Sequence, residues 1–379
     1  MESKQSVGMM LVGDRQVGLR LQFARELALL GIQVTIAVPS GMTLETGSPE
    51  IGVVSYPFEP KHPLRTAKGL VQLRRSTNSD IVHAFSTGPA MVSSLAAWLD
   101  RSGIYVRTVN GLGRSFSTVG PRGAIMRALY TGSLIVVDHR VRCAVFQNND
   151  DANWFGSVPI LRKRRREVIL GSGVDLQDFD DLTVPVDRVR KAQDFLGTNG
   201  RPTAVLVGRR LKTKGVDDLC KAAELASKMT DTQMLFAVVG PPETSAGLAS
   251  HSTNGTYGTI EFKLCESWKD MPALFAASTV VVLPTTYREG IPRVLLEGAA
   301  MRRPLIANDV PGCREIVVDG ENGALLPPGN VDLLAKSLVR IMNDTHEQTR
   351  LGNCSRKLIE DTFDVRLIAA QYAHLYRSL

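Results

Sequence analysis

The strongest constraint in this sequence is an alternation, run through twice, of short apolar stretches and longer segments whose apolar residues recur every three to four positions. In the first half the short stretches read GMMLVG (8–13), QVTIAVP (33–39), DIVHAFS (80–86), YVRTVNG (105–111) and CAVFQN (143–148). Between them, LRLQFARELALLG (19–31) and AMVSSLAAWLDRSG (90–103) carry helical periodicity and end in glycine. Strands covered on both faces read as continuous apolar runs, and strand–helix–strand order sets successive strands parallel. Residues 172–201, rich in Asp, Val and polar residues, read as a crossing between domains plus a leading helix. The alternation then restarts with TAVLVG (203–208), MLFAVVG (234–240), TIEFKL (259–264), TVVVLP (279–284) and PLIAN (304–308). A chain of 379 residues is long for one core. The expected fold class is therefore α/β, with two Rossmann-like doubly wound domains facing across a cleft at the carboxyl ends of their strands.

Composition narrows the class further. A hydrophobic fraction of 44% with 22% charged residues excludes disorder and coiled coil. No apolar run approaches the roughly 20 residues that a bilayer span needs, and the start lacks the basic and apolar regions of a signal peptide. The scattered cysteines Cys143, Cys220, Cys265, Cys313 and Cys354 form no ligand-type pair, which points to a reducing, cytoplasmic setting without structural zinc. Residues 1–180 carry 21 Lys+Arg against 15 Asp+Glu, whereas the remainder carries 24 against 23. That excess suits an anionic partner such as a membrane surface or a phosphate-bearing substrate, or simply a basic solvated face.

Chemistry concentrates in Pro284-Thr-Thr-Tyr-Arg-Glu-Gly-Ile-Pro-Arg-Val-Leu-Leu-Glu297. A strand ends at Pro284, a polar loop carries Glu289 and Gly290, and Pro292 is expected as the first residue of a helix running to about Arg303. The free N–H groups and dipole of such a helix suit a diphosphate, and Gly290 allows backbone to approach a ligand closely. Side chains lean toward a helix N-terminus, so Glu297 and Glu289 can reach different parts of one ligand. The competing reading makes Glu289 a surface acid and Glu297 the i+4 ion-pair partner of Arg293. Gly208-Arg-Arg-Leu-Lys-Thr-Lys-Gly215 supplies a second element, an anion-binding loop at a strand end. Its glycine spacing excludes the GxxxxGK[ST] phosphate loop.

Together these stretches resemble the retaining glycosyltransferases of family 4, with the two-domain GT-B fold. The E-x7-E pattern stands as Glu289 to Glu297, the G-R-x4-K-G element as Gly208, Arg209, Lys214 and Gly215, and GxGVD as Gly171 to Asp175. VPGCREIVVDGENGALLPPGN (310–330) also looks typical, and the likeness runs along nearly the whole chain. VNGLG (109–113), VFQNNDD (145–151), GSGVD and VPGCRE look closest to bacterial enzymes of capsule, O-antigen and glycan assembly that use UDP-hexosamines. The resemblance implies an acceptor-binding domain over 1–170, completed by a helix over 363–379, and a nucleotide-sugar-binding domain over 171–362. It implies that Arg209 and Lys214 hold the donor diphosphate, with Glu297 on the ribose and Glu289, Gly290 and Ile291 on the transferred sugar. Gly240, Val294 and Leu264, in a turn Lys263–Cys265, would lie near the nucleotide.

Two places depart from the family pattern. Asn110 stands where members often carry a histidine, so this position can orient the sugar but not titrate. The pattern D-I-V-H-x-H keeps His83 but has Phe85 in the second place, and His83 reads as structural rather than catalytic. The resemblance implies front-face transfer with retention, in which the leaving phosphate accepts the acceptor proton. Such chemistry rests on positioning and charge stabilisation. No cluster of metal-ligating carboxylates is visible, so the cations at 209–214 are expected to replace a divalent metal. The expected substrates are a UDP-sugar and a polyprenyl-diphosphate or glycan acceptor, the latter near Gly111–Ser115 with Arg114. Arg65, Lys68, Arg74, Arg75 and Arg162–Arg166 would hold the protein peripherally at the inner face of the cell membrane. Nucleic acid is the weaker alternative, since no interleaved aromatics or recognition motif accompany these charges. A non-catalytic subunit of the same fold and a nucleotide-sugar epimerase remain as other readings.

Overall fold

The computed structural model describes residues 7–13, 20–59, 61–113, 116, 120–242 and 254–379. The chain divides into two units, Met1–Gly173 with Val365–Leu379, and Val174–Asp364. Val174 and Asp364 form a β-bridge, and the Val174 N–H donates to the Phe363 carbonyl at 2.9 Å. The second unit is thereby tied shut where the chain enters and leaves it.

The first unit holds strands β1 (Gly8–Val12), β2 (Gln33–Pro39), β3 (Ile51–Tyr56), β4 (Ile81–Ala84), β5 (Ile104–Val109), β6 (Cys143–Phe146) and β7 (Arg166–Val168). They form one parallel sheet in the order β3-β2-β1-β4-β5-β6-β7, the doubly wound order in which the chain reverses direction beside the first strand. The central strands are buried throughout, as continuous apolar runs require. β3 and β7 escaped the sequence reading because they are sheet edges. β3 exposes Gly52, Val53 and Ser55, and β7 is the end of the basic run, so neither shows an apolar stretch.

The helix Val365–Arg377 packs back onto this sheet through Ile368, Ala369, Tyr372 and Tyr376. Tyr376 Oη lies 2.6 Å from His83 Nδ1, and Thr108 Oγ1 lies 2.8 Å from His83 Nε2. His83 sits inside β4 rather than at a strand end, with Phe85 stacked on it at 4.2 Å. Burial, and then the charge of Arg20, hold its pKa well below the ordinary imidazole value. It is a neutral buried joint between sheet and final helix. Arg74, expected among the free surface cations, is also structural. It pairs with buried Asp100 at 2.6 Å and donates to the Ser79 carbonyl.

The second unit opens with the helix Val186–Leu196, as expected for the crossing segment, which ends in the left-handed residue Gly197. Its strands are β8 (Thr203–Val207), β9 (Met234–Val239), β10 (Gly255–Tyr257), β11 (Ile260–Cys265), β12 (Val280–Leu283), β13 (Leu305–Asn308) and β14 (Gly323–Leu326). The sheet order is β10-β11-β9-β8-β12-β13-β14, parallel except for β10, which pairs antiparallel with β11. The short edge β10 lacks the apolar run by which the inner strands were recognised, whereas β14, the four residues GALL, is apolar but short and set between the polar stretch 319–322 and two prolines. Lys263–Cys265 is the end of β11 and not a turn, because the ladder to β9 continues to Cys265 opposite Val239.

Candidate functional site

In the second unit β8 lies between β9 and β12, so the chain reverses direction beside β8. The loops leaving β8 and β12 therefore rise side by side at the switch point, where sheets of this kind bind ligands. The Thr213 carbonyl accepts from the Thr285 hydroxyl at 2.9 Å and from the Thr286 N–H at 3.0 Å. Gly215 has φ +80°, and a Cβ there would collide with the Pro284 carbonyl oxygen, so the close seam needs glycine. Asn308, at the end of β13, donates from Nδ2 to the Thr285 carbonyl at 3.2 Å.

This seam brings Lys214 and Glu289 into an ion pair, with only 22% and 16% of their side chains exposed. The residues are 75 positions apart in sequence. Gly312, at φ +87°, lies directly beneath the Gly290 carbonyl and leaves no room for a Cβ. The neighbouring Cys313 thiol is pushed up by burial and further by the Glu289 carboxylate. The loop 308–313 thus supports the Glu289–Gly290 turn from below.

Pro292 is the cap and not the first helical residue. Its ψ of 113° is extended, while its carbonyl accepts from Leu295 and Leu296. The helix Arg293–Ala300 stops earlier than expected. Met301 caps it, Arg302 takes φ +52°, and the Arg302 guanidinium is held by Asp180 and Asp181. Glu297 is buried and accepts from Arg293 Nη2 and Nε at 2.7 and 3.0 Å, the i+4 pair weighed as the alternative. Burial raises its pKa, and Arg293 opposes that rise.

Of the other expected donor residues, Arg209, Gly240, Ile291 and Val294 lie on or next to the segments that leave β8, β9 and β12, while Leu264 is two strands away from β8. Gly240 follows β9, and its N–H donates to the Cys265 carbonyl at 3.1 Å. Arg209 is exposed at the end of β8, and Ile291 and Val294 are half-buried beside Glu289 and Glu297. Leu264 is half-buried on β11, its N–H donating to Asn254 Oδ1 at 2.7 Å. Of the four cations in the β8 loop, Arg210 turns aside to donate to the Cys265 carbonyl at 2.7 Å. No group of three His, Cys, Asp or Glu side chains among the described residues is arranged to hold a metal ion.

In the first unit, Asn110 follows β5. Its Oδ1 is buried and has no hydrogen-bond partner among the described residues. It lines a small recess with Thr87, Met91, Arg107, Gly111 and Tyr130. At the back of that recess Arg107 pairs with Asp138 at 2.8 Å, both buried. The stretches VNGLG and QNNDD are joined by Asp151. Its carboxylate accepts from the Leu112 N–H at 3.0 Å and from Asn148 Nδ2 at 3.1 Å. Asn148 in turn caps the helix Asn149–Ser157, accepting from the Asp151 N–H at 2.8 Å. Arg114 lies outside the described residues.

Residues 189–358 match the family model described as "Glycosyl transferases group 1". The matched residues lie within the second unit, Val174–Asp364. Across 210 residues the chain is 30% identical to alpha-D-kanosaminyltransferase of Streptomyces kanamyceticus, covering 53% of this chain and 52% of that protein. The match to this relative therefore spans about half its length. Across 309 residues it is 22% identical to the N,N'-diacetylbacillosaminyl-diphospho-undecaprenol alpha-1,3-N-acetylgalactosaminyltransferase of Campylobacter jejuni, covering 81% and 79% of the two chains. The solved structure of Anabaena HepE in complex with UDP-glucose superposes with a TM-score of 0.75 at 18% identity, over 98% of this chain and 100% of that one. The GT-B fold is common to both.

Several residues that shape this candidate site had no sequence signal of their own. Thr213, Thr285 and Asn308 act through a carbonyl, a hydroxyl and a side-chain amide that fold geometry alone brings together. Gly312 stood within VPGCRE, but its role depends on a carbonyl 22 residues upstream, that of Gly290.

Proposed function

We propose that the chain is a retaining, metal-independent glycosyltransferase that moves a hexose or N-acetylhexosamine from a UDP-sugar to a polyprenyl-diphosphate-linked or glycan acceptor in cell-surface glycan assembly. The observation that carries this reading is the Lys214–Glu289 pair on two loops stitched together at the switch point of the second sheet. A cation and a carboxylate so placed suit the two ends of a sugar diphosphate. Arg209 and Lys214 would neutralise the departing diphosphate, and Glu289 with the backbone of Gly290 and Ile291 would hold sugar hydroxyls. Glu297 would meet the ribose, with Val294, Gly240 and Leu264 around the nucleotide. Asn110, whose buried Oδ1 has no hydrogen-bond partner among the described residues, would orient the sugar or acceptor. The likeness to a UDP-glucose complex supports UDP as the nucleotide, and the Campylobacter relative's name supports a polyprenyl-diphosphate acceptor. No helix among the described residues is long and apolar enough to cross a membrane. A polyprenyl-diphosphate acceptor would bring the protein to the cytoplasmic, inner face of the membrane, where the basic residues of the first unit would hold it peripherally.

Fixed cations and donors that meet charge as it develops on the leaving diphosphate contribute several orders of magnitude in rate. Front-face transfer then needs no side-chain base, since a phosphate oxygen takes the acceptor proton. The test is product formation from labelled UDP-sugars with a polyprenyl-diphosphate acceptor, alongside calorimetry with UDP. Glu289→Gln and Lys214→Met are expected to lower turnover at least tenfold. Unchanged turnover would overturn the assignment, and failure of the wild type to bind any UDP-sugar at millimolar concentration would favour a non-catalytic subunit.

A further inference from the structure

The helix Gly120–Val137 is held to the first unit along one face. Leu134 is buried, and the Tyr130 ring lies 6.0 Å from Phe116 and 6.4 Å from Trp154. On the opposite face Ile125 is 60% exposed, Leu129 70% and Val136 65%. Their spacing, with Gly132 between, puts them on one stripe about 16 Å long. Scattered apolar side chains on a surface need no explanation, but a continuous stripe on a helix does.

The chemistry around the stripe indicates what covers it. From 101 to 137 the sequence contains no Asp or Glu and five arginines, of which Arg122 is exposed on the helix's outer side. At the far end Trp98 is 46% exposed, with the Arg140 guanidinium 5.9 Å from its ring centre and the His139 ring at 5.7 Å. Arg164, from the basic run 162–166, donates to the His139 carbonyl at 2.8 Å. The basic run and the apolar stripe are thus continuous through the corner at His139. A half-exposed Trp beside cations, next to an apolar helix face without carboxylates, suits the boundary between anionic headgroups and acyl chains.

The geometry points to the outer face of Gly120–Val137, with Trp98 and Arg140, as the surface that lies on an anionic lipid bilayer. The inference rests on the peripheral membrane reading and deepens it by naming the element that enters the interface. The same helix carries Tyr130 into the Asn110 recess, so a lipid-bound acceptor would meet that recess beside the surface holding the enzyme.

The experiment is co-sedimentation of the full chain with phosphatidylglycerol–phosphatidylethanolamine vesicles and with phosphatidylcholine vesicles. Light scattering fixes the oligomeric state, and UDP binding with thermal melting controls for folding. Wild type is expected to bind the anionic vesicles in preference. Ile125→Gln with Leu129→Gln should weaken that binding at least tenfold while leaving melting and UDP binding unchanged. Arg140→Gln should weaken it roughly fivefold, the effect of one interfacial cation. If the double variant binds like wild type, the helix is not the contact and the membrane reading stands without it. If wild type binds neither vesicle, both fall. A dimer that the double variant converts to monomers would make the stripe a subunit interface and overturn the inference.

Discussion

Replacing Gly215 by alanine separates the cost of a left-handed backbone from the cost of parting the two donor-site loops. Gly215 sits at φ +80° with its missing Cβ directed at the Pro284 carbonyl, whereas Gly200 in the same unit has φ +75° and nothing within 4 Å. A left-handed alanine costs about 1–2 kcal/mol at either position. At Gly215 the clash cannot be relieved by moving a flexible side chain, because the obstacle is backbone. Pro284 is followed by Thr285 and Thr286, both bonded to the Thr213 carbonyl at 2.9 and 3.0 Å. Moving Pro284 away breaks these bonds, each worth about 1 kcal/mol net. Gly215→Ala should therefore cost about 3–4 kcal/mol against about 1–2 kcal/mol for Gly200→Ala. Urea unfolding followed through a probe in the second unit measures the difference, and equal slopes are required before midpoints are compared. UDP calorimetry under native conditions should show a loss of affinity for Gly215→Ala alone. If the two variants lose the same stability within about 0.5 kcal/mol, the usual scale of surface effects, the seam does not constrain the site and the reasoning fails.

Other expectations follow from the first unit. Tyr376→Phe removes the hydroxyl 2.6 Å from His83 Nδ1 and should cost about 1–3 kcal/mol in chemical denaturation, the usual penalty of an unpaired buried polar group. His83 is neutral when folded and protonates near its ordinary value of 6.5 when unfolded. The unfolded state thus binds the extra proton below that pH. Stability is complete above pH 6.5 and falls on acidification by about 1.4 kcal/mol per pH unit; comparing pH 7.5 with 5.5 should show this slope in wild type and its loss in His83→Gln. Asp151→Ala should destabilise the first unit by about 2–4 kcal/mol, since it strands the Leu112 N–H and Asn148 Nδ2. If acceptor KM is unaffected by Asp151→Ala in protein that remains folded, the loop 109–113 does not depend on that anchor.

The sequence by itself determined the α/β class, the inner strands of both sheets and the places where chemistry gathers. A strand buried on both faces must be an apolar run, and a loop at its carboxyl end stands out by contrast, as Gly208–Gly215 and Pro284–Glu297 do. Edge strands such as β3 and β7 were illegible for the complementary reason: with one neighbour and one wet face they need no such run. Tertiary structure decided which polar groups serve the fold. Nothing in the sequence marks Arg74 and Arg302 as structural, yet their guanidinium groups are held by Asp100 and by Asp180 and Asp181. It also decided the partners of the two glutamates. Glu297 bonds to Arg293 one helical turn away, as local spacing allowed, whereas Glu289 meets Lys214 only because β8 and β12 are neighbours in the sheet. Spacing along the chain encodes contacts within an element. Contacts between elements depend on strand order, which the whole hydrophobic core sets at once.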